Sequence, residues 1–81
     1  MLSEKNKTQG WTSAVQVGAA IRSRRLTAGL SQEALGFASN THRTYIGSIE
    51  RGEKAITVDK LVAISLALDC SASQILSDCG L

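Results

Sequence analysis

Four residues between positions 43 and 48 carry the chemistry that stands out in this chain: Arg43, Thr44, Gly47 and Ser48. If the segment is helical, each step turns by about 100°, and the four fall on one side. That side holds one cation, two hydroxyls and a bare stretch of backbone, with nothing large or apolar. A guanidinium can bond O6 and N7 of guanine together, and a threonine can exchange hydrogen bonds while its methyl meets a thymine methyl. Ser48 adds a second hydroxyl one turn on, and Gly47 lets the backbone lie close to a partner. Gln32, His42, Arg51 and Lys54 flank this group with donors suited to phosphate oxygens. Tyr45 either adds its hydroxyl to that clamp or packs its ring against the preceding element. The expected division is that Arg43, Thr44 and Ser48 read base edges, while Gln32, His42, Tyr45, Arg51 and Lys54 position phosphates. Arg43 has a phosphate contact as its alternative.

Such a side works only if the chain holds it rigidly outward. Residues 31–52, SQEALGFASNTHRTYIGSIERG, have the signals for two short helices joined by a tight turn. Ser31 is a good N-cap for a helix that runs to about Ala38. Asn40 sits where the chain must turn, and Asn tolerates a left-handed backbone better than most residues. Thr41 or His42 begins the second helix and Gly52 ends it. Leu35, Ile46 and Ile49 are spaced to close an apolar seam between the two, which sets their crossing angle. A helix-turn-helix presents its second helix to a major groove in this way.

Residues 18–76 resemble a helix-turn-helix domain of the Cro/XRE type, the lambda-repressor-like fold. The resemblance is carried by Ile21 and Arg25, by the run from Gly29 to Glu33, and most specifically by the run from Tyr45 to Gly52. His42 to Ile46, with Ile49 to Arg51, is also similar to the controller proteins of restriction-modification systems. The resemblance implies that Arg25 pairs with Glu50, tying the first helix to the third. It also implies that Gln32 donates to a phosphate, with help from main-chain amides at the start of its helix, and that backbone contacts fall near Arg51, Lys54 and Thr57. Two positions depart from the pattern. Gly36 stands where Ala is typical, and Asn40 where Gly is typical; the helical glycine is expected to cost about 1 kcal/mol.

The remaining chain is read from composition and periodicity. Eighty-one residues make one domain, with a small aliphatic core. Residues 20–54 hold six Arg or Lys against three Glu, and residues 55–81 hold Lys60 against three Asp, so a basic half precedes an acidic, apolar one. The basic half suits phosphate. Residues 1–10 have the composition of a flexible tail, whose Lys5 and Lys7 can reach DNA, and Trp11 is placed as an anchor over the base of a first helix or over the carboxyl end of the chain. Residues 11–81 then form the DNA-binding and dimerising domain. Thr12 or Ser13 caps the first helix, whose apolar positions are Val17, Ala20, Ile21 and Leu26, and Gly29 ends it. Thr57 can cap a fourth helix that is apolar almost all round. Leu61, Ile64 and Leu68 suit the core, whereas Val58, Val62 and Leu66 need cover. Ser71 and Gln74 have the spacing of a capping box for a fifth helix bearing Ile75. Val58, Val62, Leu66 and Ile75 are therefore the expected dimer surface. No strand pattern, proline or repeat occurs, so the fold class is all-α, a compact five-helix bundle.

Several functions are disfavoured. His42 is the lone histidine and has no convergent catalytic or metal-binding partners, so neither an enzyme nor a metal site is expected. Cys70 and Cys79 lack zinc-site spacing and are expected as reduced thiols. The longest apolar stretch, residues 61–68, is too short to span a bilayer, and no signal peptide is seen, so a cytoplasmic location is expected. No cofactor or small-molecule ligand is implied. The expected function is a sequence-specific transcriptional regulator that binds a near-palindromic operator on double-stranded DNA as a homodimer, with RNA polymerase as a further partner. The alternative from another class is an antitoxin that embraces a toxin and also binds its own operator. Single-stranded RNA is disfavoured by the shortage of aromatic residues for stacking.

Overall fold

The computed structural model describes the backbone of residues 3–81 and the side chains of residues 13–81. Expectations for Trp11, Lys5 and Lys7 fall outside those side chains. Five helices occur among the described residues: α1 (Ser3–Thr27), α2 (Gln32–Ala38), α3 (Arg43–Glu50), α4 (Val58–Ala67) and α5 (Ala72–Asp78). α1 begins upstream of the cap expected at Thr12 or Ser13, and residues 3–10, expected as a tail, lie on the same helix. This stretch contains no proline, and extending an existing helix costs far less than nucleating one.

The other boundaries follow their local chemistry. Ser31 accepts from the Ala34 amide at 2.9 Å, and Thr57 accepts from the Lys60 amide at 3.1 Å. Ser71 and Gln74 form the capping box. Asn40 takes φ 54°, and α2 and α3 are joined through it. Asp69 also takes a left-handed φ of 59° just beyond α4.

One aliphatic core joins all five helices. Val17, Ala20 and Ile21 of α1 meet Leu35 of α2, Ile46 and Ile49 of α3, Leu61 and Ile64 of α4, and Ile75 of α5. Full burial of a Leu or Ile contributes about 1.5–3 kcal/mol each. Leu26 does not join them and remains exposed. Arg25, one turn after Ile21, occupies the inward direction at that level, so its neighbour is turned away. Ile75 requires the larger correction. It is fully buried, the side chain by which α5 grips the core, and is unavailable to a partner.

Two glycines set the packing of α3. A Cβ on Gly18 would stand 2.1 Å from the Ile49 carbonyl oxygen, so α1 crosses α3 closely at this point. A Cβ on Gly36 would stand 2.3 Å from the Thr41 carbonyl oxygen. The Gly36 carbonyl in turn accepts from the Thr41 amide at 2.7 Å. Gly36 is therefore a requirement of the tight turn rather than only a helix-weakening residue, because alanine would push on backbone that cannot yield cheaply.

Candidate nucleic-acid interface

The outward side of α3 starts from its cap. His42 precedes the helix and its Nδ1 accepts from the Thr44 amide at 3.0 Å. With Nδ1 accepting, the ring hydrogen sits on Nε2, which faces away from the cap as a donor. Arg43 and Thr44 follow as exposed residues. The Arg43 side chain is 65% exposed, with its Nη1 4.0 Å from the Glu33 carboxylate on α2.

Behind this side lies a buried ionic node. Arg25 donates from Nε and Nη2 to the two carboxylate oxygens of Glu50, at 2.6 and 2.9 Å. Its Nη1 donates to the Leu30 carbonyl at 2.8 Å. Gln32 donates to the same carboxylate at 3.1 Å. The hydrogen bond to Glu50 raises the Arg25 pKa against the opposing effect of burial. A forked guanidinium with its planar partner fixes direction as well as distance. The node thus locks α1, the start of α2 and the end of α3 into one orientation. Beyond α3, Arg51 and Lys54 are exposed. Arg51 bonds Glu53 through Nε and Nη2, at 2.7 and 3.2 Å. That hydrogen bond holds the Glu53 carboxyl below its usual range. Lys54 lies 6.0 Å from the centroid of the half-buried Tyr45 ring.

A polar helix side held out by a buried node between short helices has a known family of its own. The helix-turn-helix family model matches residues 21–75. The chain belongs to the helix-turn-helix family. It is 44% identical over 61 residues to the control protein C.SmaI of Serratia marcescens, covering 75% of this chain and 73% of that one. It is 40% identical over 60 residues to the control protein C.BamHI of Bacillus amyloliquefaciens, covering 73% and 74%. Among solved structures, the restriction-modification controller protein C.AhdI from Aeromonas hydrophila superposes with a TM-score of 0.77 at 33% identity, covering 79% of this chain and 97% of that one. The helix-turn-helix is α2 and α3, and its five-helix setting is the lambda-repressor-like fold. The family is one of DNA-binding regulators rather than enzymes.

Within the helix-turn-helix, the expected residues divide. Arg43, Thr44, His42, Arg51 and Lys54 are each exposed. Arg25 and Glu50 are brought into direct contact. Ser48 departs from expectation: it is only 8% exposed, and its hydroxyl donates to the Thr44 carbonyl at 3.2 Å. A serine inside a helix commonly bonds back one turn, and here that removes it from the outward group. Gln32 is half-buried, and its amide nitrogen donates one hydrogen bond inward to Glu50. Gly47 is also buried. Arg51 and Gln32 side chains lie over it, with Arg51 Nη1 3.1 Å from where a Cβ would stand. Glu33 and Glu53, the carboxylates set against Arg43 and Arg51, were not singled out by the sequence. Spacing across a turn carries no simple period that would have paired them. Arg24 and Asp78, an ion pair joining α1 to α5, were missed for the same reason.

No group of three or more His, Cys, Asp or Glu is placed to hold a metal ion among the described residues. Cys70 and Cys79 are free thiols. No single described helix is long and apolar enough to cross a membrane. On α4, Val58, Val62 and Leu66 are 76%, 42% and 71% exposed, a continuous apolar stripe at four-residue spacing.

Proposed function

We propose that this chain binds a near-palindromic operator in duplex DNA as a homodimer and regulates the transcription of restriction-modification genes. The observation that carries the reading is the rigid outward placement of Arg43 and Thr44 at the start of α3, backed by the Arg25–Glu50 node. Arg43 reads a guanine edge and Thr44 a neighbouring base, while His42, Tyr45, Arg51 and Lys54 engage phosphates on either side. Gln32 acts through Glu50 and by its place at the start of α2. Two reading residues per subunit discriminate weakly, so a second subunit about 34 Å away supplies the missing specificity. The stripe Val58, Val62 and Leu66 supports that pairing, since an apolar row this exposed on a small domain calls for cover.

The similarity to control proteins C.SmaI and C.BamHI favours this function over the antitoxin alternative. Dimerisation makes operator occupancy depend on protein concentration, and an operator beside a promoter brings the bound dimer to RNA polymerase. Such a regulator works in the cytoplasm. Selection from random duplexes, followed by footprinting, tests the proposal. A symmetric protected site with G·C pairs at matching half-site positions is expected. Failure to bind any duplex at low ionic strength would overturn it.

A further inference from the structure

Arg43 is not the sole charged group at the reading end of α3. Glu33, in the first turn of α2, is 77% exposed, and its Oε2 lies 4.0 Å from Arg43 Nη1. As a contribution to stability this exposed pair is negligible. Its geometry matters more. A guanidinium offers a fork along one edge through Nε and Nη2, the edge by which Arg25 grips Glu50 in this same chain. With Nη1 turned to Glu33, the Nε and Nη2 edge of Arg43 is left open to a base. A carboxylate at that distance also makes Arg43 a poor phosphate partner, because a phosphate drawn to Nη1 would lie beside a like charge. Arg51 offers an internal contrast. Glu53 occupies its Nε and Nη2 edge, so Arg51 presents no free fork to a base.

We infer that Glu33 is a positioning residue for specificity: it steers Arg43 toward a guanine edge and denies that cation to phosphates of random DNA. The inference rests on the proposed base-reading role of Arg43. It requires that removing the carboxylate help random DNA more than the operator.

The test compares wild type, Glu33→Gln, Arg43→Ala and the double variant on two probes: a duplex recovered by selection and a scrambled duplex of equal length. Binding is measured across a salt series. Glu33→Gln is expected to tighten scrambled binding and steepen its log–log salt slope by about 0.9, the value of one added phosphate contact. The ratio of selected to scrambled affinity should fall by about tenfold, within the range one bidentate base contact supplies. In the Arg43→Ala background the same change should leave that ratio unmoved. The inference fails if Glu33→Gln strengthens both probes by one factor, which is a general charge effect, or if its effect on the ratio survives without Arg43. If Arg43→Ala alone weakens both probes equally, the base-reading role falls and this inference with it. Both side chains are exposed, and a urea melt of each variant checks that the fold is retained.

Discussion

Replacing Glu50 with alanine should be among the most damaging single changes in this chain. Glu50 and Arg25 are each at most 8% exposed, and three donors converge on the carboxylate. Removing it leaves a guanidinium buried with two N–H groups unpaired and strands the Gln32 amide. Breaking a buried pair from one side costs about 3–5 kcal/mol. A chain of this length is stable by roughly 4–12 kcal/mol at the usual 0.05–0.15 kcal/mol per residue. The substitution should therefore remove about a quarter or more of the stability and lower Tm by at least about 12 °C. Urea unfolding followed by far-UV circular dichroism measures it, with an unchanged m-value as the sign that the unfolded state is unaffected. The paired replacement Arg25→Met with Glu50→Leu should recover most of the loss, because no lone charge remains inside. A loss below about 1 kcal/mol for Glu50→Ala would place the pair with ordinary surface bridges and refute the reasoning. So would a double variant whose cost is the plain sum of the singles, since that would deny any coupling between the two charges.

Three further outcomes are expected. Lys54→Ala should weaken selected and scrambled duplexes alike and flatten the salt slope by about 0.9, and an unchanged slope would remove Lys54 from the phosphate contacts. Leu66→Lys should shift the protein toward monomer in sedimentation without loss of helicity. By contrast, Ile75→Ala should cost about 2–5 kcal/mol of stability as a core truncation; a Leu66→Lys dimer of wild-type strength would clear α4 of the interface role. The Asp78 carboxyl is held below its usual range by the hydrogen bond from Arg24. Its stabilisation is therefore complete above the ordinary carboxyl value, about 3.9, and is lost as pH falls through the lower folded-state value. Asp78→Asn should give a shallower loss of stability below about pH 4, and an acid titration of unfolding with identical slopes would show that the pair does not link α5 to α1.

Much of this protein was legible in the order of its residues, because the signals were local. Ser31, Thr57 and Ser71 cap helices through hydrogen bonds spanning three residues. Asn40 turns the chain through its own tolerance of positive φ. Leu35, Ile46 and Ile49 are apolar at helical spacing and end fully or almost fully buried. The pattern of α4 likewise separated Leu61 and Ile64, which are buried, from Val58, Val62 and Leu66, which are not.

What residue order left open was decided where separate elements meet. Ser48 looked outward on a helical projection. The packing of α3 covers it, and a projection shows which residues share a side without showing how wide a strip the neighbours bury. Ile75 had the same apolar character as Leu66, yet the bend between α4 and α5 turns one into the core and leaves the other in water. Gly36 read as a cost to its helix until the Thr41 carbonyl was found against it. The carboxylates beside Arg43, Arg51 and Arg24 depend on approach between groups 10, 2 and 54 positions apart, which no single periodicity encodes. Capping and periodicity act within a turn or two and so survive in the sequence alone. Burial and charge pairing depend on distances through space, which exist only once the five helices have packed.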